Sequence, residues 1–125
     1  MPFRLLAIDL PPLVCDLVRN ALTRNDGEGV FVDLPAGGTD LNALAVAARA
    51  DAILAALDPT GWPPDCRPIV ARGGLPLYGL DCDTGRGRIR QLRTVQTCRT
   101  DLALDDLTID ELIHDATAAG TRPGD

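Results

Sequence analysis

Three aspartates stand at positions where carboxylates could act together. Asp9, Asp33 and Asp58 each close a short apolar run: Phe3 to Ile8, Val30 to Val32, and Ala52 to Leu57. If those runs are parallel strands, the acids share the rim beyond the carboxyl ends, where open α/β sheets bind ligands. Carboxylates crowded there would hold a hard cation such as Mg²⁺. The plainer use is structural, because an aspartate after a strand starts a turn or caps the next helix. Asp9 precedes a helical pattern and Asp58 precedes Pro59.

A second concentration is basic. Arg86, Arg88, Arg90, Arg93 and Arg99 fall close together in a chain whose net charge is −6. On a strand, Arg86, Arg88 and Arg90 would project from one face and could grip a phosphate, a carboxylate or an acidic protein surface. Charged side chains at that place could equally guard an exposed sheet edge. Trp62, inside a proline-rich loop, is either a lid over the core or an anchor for a partner.

Other reactive types offer less. His114 is the sole histidine and sits in a helical pattern beside Ile113, with no serine or cysteine at a spacing that suggests a triad. Cys15, Cys66, Cys82 and Cys98 are far apart and contain no C-x-x-C pair, so they read as reduced thiols. The pairs Gly37-Gly38 and Gly73-Gly74 and the Gly85-Arg86-Gly87 triplet spell no phosphate-binding fingerprint and read as turns. No catalytic residue is assigned, and no cofactor beyond a possible Mg²⁺.

These residues are carried by a pattern of strands and helices. After the first run, Pro11 and Pro12 open a helix whose apolar stripe is Leu13, Val14, Leu17, Val18, Ala21 and Leu22. Asn25-Asp26-Gly27 stops it. Thr39 can cap a second helix carrying Leu41, Leu44, Ala45 and Ala48. The spacing predicts helices over 12–24, 39–49 and 108–119, and three parallel strands in the order 2-1-3, joined by right-handed crossovers.

Beyond Asp58 the pattern changes. Pro59 to Asp65 is a loop that no helix can traverse. Short strands are expected at Pro68–Ala71 and Leu75–Cys82, turned by Gly73-Gly74, with Tyr78, Leu80 and Cys82 facing one way. Arg88–Thr97 would pair back after the turn at Thr84–Gly87. In the last helix Thr108 and Glu111 form a capping box, Leu107 staples onto Leu112, and Leu112, Ile113 and Ala116 are buried. The fold class is therefore α/β: a three-stranded parallel β-α-β-α-β half, extended by an antiparallel β-meander and a C-terminal helix. Residues 1–120 form one domain and 121–125 a loose tail.

Composition bounds the function. The 125 residues contain few aromatics, Phe3, Phe31, Trp62 and Tyr78, so aliphatic side chains must build the core. All 12 basic residues are arginine; without lysine, Schiff-base chemistry is excluded. The acidic balance disfavours nucleic acid. No run is long enough to span a bilayer and no signal-peptide pattern opens the chain, so a cytoplasmic protein without a membrane role is expected.

Over its first half the chain resembles the receiver domain of bacterial response regulators. Leu5-Leu6-Ala7-Ile8-Asp9 resembles the receiver's first strand with its acidic end, although Leu10 stands where the second acid would be. Asp51-Ala52-Ile53-Leu54-Ala55-Ala56 resembles the third strand. Its phosphoacceptor place falls on Ala56, with Asp58 two positions late. The family's hydroxyl residue would fall near Arg72 and its lysine is missing. The resemblance implies a receiver-like scaffold that has lost phosphotransfer. The expected function is a non-enzymatic protein-interaction or regulatory module that binds a protein through Arg86, Arg88, Arg90, Arg93 and Trp62. The alternatives are a small-ligand or cation-binding protein or enzyme using Asp9, Asp33 and Asp58, and a subunit that self-associates through a sheet edge.

Overall fold

The structure, a computed structural model, describes residues 3–33, 41–57, 61–62 and 75–120. Several expectations fall outside these residues: Asp58, Cys66, the Thr39 cap, most of the Pro59–Asp65 loop, the strand at Pro68–Ala71, the Gly37-Gly38 and Gly73-Gly74 turns, and the tail 121–125.

The first strand, β1 (Arg4–Ile8), is nearly all aliphatic because both its faces are covered. Alternate residues divide between two clusters: Leu5 and Ala7 enter one, Leu6 and Ile8 the other. Helix α1 (Pro12–Arg24) begins with Pro12 in its first turn, where a missing N–H costs nothing. Asn25 ends it: its backbone N–H donates to the carbonyls of Ala21 and Leu22, and its side-chain amide donates to Ala21 O at 2.8 Å. Then follow β2 (Glu28–Val32), α2 (Leu41–Ala48) and β3 (Ala52–Ala56). β2 and β3 flank β1 in parallel, the expected 2-1-3 order.

The second half departs from expectation at its first strand. β4 (Leu77–Asp83) pairs parallel to β3, with Ile53 opposite Leu77. A parallel neighbour needs a crossover of about a dozen residues or more, and the segment between Leu57 and Leu77 is long enough to supply one. The meander starts only afterwards, with β5 (Arg88–Arg93) and β6 (Cys98–Ala103) antiparallel. The mixed sheet runs β2-β1-β3-β4-β5-β6.

Tyr78 and Leu80 face one core and Cys82 packs against it, as the alternation predicts. Their partners on β5 are Ile89 and Leu92, three positions apart. A bulge opposite Asp81/Cys82 reconciles the two periods, since Leu80 faces Leu92 while Cys82 faces Ile89.

Helix α3 (Asp106–Gly120) lays Ile109, Leu112, Ile113 and Ala116 against α1 and the sheet. The expected capping box is displaced. Asp105 is the cap, its Oδ1 accepting the Thr108 N–H at 2.9 Å. Leu107 is 69% exposed and staples nothing; the buried pair bracketing the cap is Leu104 and Ile109. On the opposite face of the sheet α2 contributes Ala45, with Leu44 and Ala48 packed beside it. No helix among the described residues is long and apolar enough to cross a membrane.

Candidate functional site

The carboxyl end of the parallel strands brings Asp9 and Asp33 near one another, because Ile8 and Val32 are register partners and each acid follows one of them. Asp9 adopts φ 56°, a left-handed turn that aspartate tolerates, and its N–H donates to Val32 O at 2.9 Å. Both aspartates are exposed. The cap position of α1 is Pro11, which offers no side-chain hydrogen bond. Asp58 lies outside the described residues. Among those described, no group of three histidine, cysteine or acidic side chains could hold a metal ion.

Between this rim and α1 lies a cleft of about 520 Å³, lined by Ala7, Leu10, Pro12, Cys15, Asp16, Arg19, Phe31, Val32 and Asp33. Partial burial pushes the Cys15 thiol above its ordinary value, with Asp33 and Asp16 adding to the effect and Arg19 opposing it. A thiol so shifted is a poor nucleophile. Cys82 is pushed up further, to about 11, mainly by burial. Cys98 is exposed on β6. The Tyr78 hydroxyl is committed as well, donating to Asp115 at 2.8 Å; burial first, then this bond, raise its pKa. His114 is exposed on α3.

The arginines do not form the expected single-faced row. Arg86 lies in the turn before β5, paired with Asp83 at 3.7 Å. Arg88 begins the strand and pairs with Asp101 across to β6. Arg90 sits at the bulge, where alternation is broken. Arg93 is half-buried and donates to Gln91 Oε1 at 3.2 Å. Arg99 lies on β6 opposite Leu92. Arg90 and Arg99 have no acidic partner among the described residues. The guarded-edge reading also moves: β5 lies between β4 and β6, so the edge strand is β6.

Trp62 is half-buried against the α2-side core. It rests on Gly79, where an added Cβ would come within 2.9 Å of the indole and 2.5 Å of Leu57. The sequence singled out Trp62 but not the glycine that seats it. It also missed β6 entirely, because Cys98–Ala103 lacks an apolar alternation. The α1–β2 cleft was missed too, since its walls are distant in sequence and ordinary in composition.

No protein-family model matches this sequence, and no curated protein matches it.

Proposed function

We propose that this chain is a non-enzymatic protein-interaction or regulatory module, a receiver-like scaffold without phosphotransfer. The observation that carries the reading is β6, exposed along its whole length except at Leu102. A strand that buries so little adds little to the core, so its use lies in what it presents. With β5 it offers Arg90 and Arg99, cations unmatched by acids within the described fold, to an acidic partner surface. Trp62, packed on Gly79 at the α2 face of the sheet, adds an aromatic anchor on that side. The parallel β2-β1-β3 order suits a receiver-like scaffold, in which Ala56 leaves a methyl group where the resemblance calls for an acceptor carboxylate.

The test uses the whole chain as bait against native extract, beside size-exclusion chromatography. Replacing Arg90→Gln and Arg99→Gln should reduce capture of the cognate protein, more at low salt than at high salt. Folding should be nearly unchanged, because exposed charges contribute little to stability. Undiminished capture with new high-mass species would reject the binding role and leave edge protection as the use of these arginines.

A further inference from the structure

The two edges of the sheet are not alike. β6 is interrupted at Asp101, whose φ of 59° breaks the extended backbone. β2 has no left-handed residue within Glu28–Val32, and no strand lies beyond it among the described residues. Parallel pairing engages alternate residues. The Glu28 N–H donates to Phe3 O at 2.7 Å, and Val32 O accepts from Asp9 N–H at 2.9 Å. Residues 28, 30 and 32 therefore turn their peptide groups toward β1, and Gly29 and Phe31 turn theirs outward.

Alongside that edge runs a groove. The 520 Å³ cleft at the carboxyl end of the sheet continues into a second of about 450 Å³, and the two share Arg19 and Phe31. Gly29 makes the join possible: a Cβ there would fall 2.5 Å from the Phe31 ring, which lies across it. The Arg19 guanidinium caps that ring at 4.4 Å and reaches Asp16 at 3.5 Å. Among the described residues lining the groove the one cation is thus already engaged. Asp16 and Asp33 outnumber it, which leaves one negative charge in excess at the upper end of the groove.

We propose that the β2–α1 groove accepts an extended peptide segment bearing lysine or arginine, which adds to β2 as a further strand. Main-chain bonds to Gly29 and Phe31 would hold it, while its alternate side chains enter the groove and its cations meet Asp16 and Asp33. This site is separate from the arginine hairpin, at the opposite edge of the sheet, and does not depend on it.

The probe is a labelled octapeptide of alternating valine and lysine, titrated into the isotope-labelled full chain. It should bind and slow hydrogen exchange at the Gly29 and Phe31 amides. The Asp16→Asn/Asp33→Asn variant should weaken it about tenfold, as expected for two partly exposed charge contacts. The same peptide methylated at alternate backbone nitrogens, and a version with glutamate for lysine, should not bind. No binding of the lysine peptide, equal binding of the methylated one, unchanged affinity in the double variant, or perturbation confined to β5 and β6 would each overturn the proposal. Protection of the Gly29 and Phe31 amides without peptide, together with a dimer by sedimentation, would overturn it in favour of a second copy. None of these results touches the hairpin reading, whose variants are Arg90 and Arg99 and whose readout is capture of a protein.

Discussion

Tyr78 shows how one side chain ties sheet to helix. Its ring belongs to the core between the sheet, α1 and α3, while its hydroxyl donates to Asp115 on α3. Both burial and that bond favour the neutral phenol, so its pKa in the folded chain lies above the ordinary 10.0. A raised folded value means the stabilisation is whole below about pH 10 and declines as pH climbs from there toward the folded value. Denaturant unfolding across that range should show an alkaline loss of stability that Tyr78→Phe reduces above about pH 10, leaving the part due to the raised Cys15 and Cys82 thiols. At neutral pH the same variant should cost about 1 kcal/mol, the ordinary worth of a hydrogen bond. An unchanged alkaline limb in Tyr78→Phe would mean that another group governs it. The position was legible in the sequence as one of three alternating inward residues; its partner, 37 residues away, was not.

Among the elements, α3 is the instructive case. Thr108 and Glu111 fit a capping pattern, yet Asp105 starts the helix, with Leu104 and Ile109 buried on either side of the cap. The two patterns overlap in sequence, and the choice depends on which leucine the core can take. Because β6 delivers Leu104 inward, Leu107 is left outside. The bond from the Thr108 N–H, first among the causes, holds the Asp105 carboxyl below its ordinary 3.8. A depressed folded value stabilises above the ordinary value and is lost as pH falls through the folded one. Thermal unfolding should show Asp105→Ala clearly destabilised at neutral pH. Asp105→Asn should stay close to the parent there, because asparagine caps as well, but should lack the acid-dependent component. Equal destabilisation by Thr108→Ala would restore the capping box.

For the whole molecule, the sheet order sets a gradient of protection. β1 and β3 lie inside the sheet with nearly every residue buried, whereas β6 is an exposed edge. Native-state hydrogen exchange should find the slowest amides in β1 and β3, and faster exchange in β6 at a lower opening free energy. Uniform protection through β6 would mean that something covers that edge in solution, and would favour self-association there.

By itself the sequence determined the local elements. Runs of aliphatic residues closed by aspartate, a proline-initiated helix and the Asn25 stop are short-range signals, so β1, α1, β2 and β3 were legible. Their 2-1-3 order was expected from the common arrangement of open parallel sheets and not from a local signal. What only the tertiary structure decided were pairings across long separations. Whether Leu77–Asp83 lay parallel or antiparallel to β3 depended on a crossover whose path no local signal reports. Whether Arg86, Arg88 and Arg90 shared a face depended on where the turn before β5 ended, which left Arg86 outside the strand, and on a bulge at Arg90 that answered to the inward residues of two neighbouring strands. The groove beside β2 depended on a ring folding over a glycine two residues away and a helix supplying the other wall. Strand and helix propensities act over a few residues, but pairing direction, register and cavities arise where distant segments must bury the same surface.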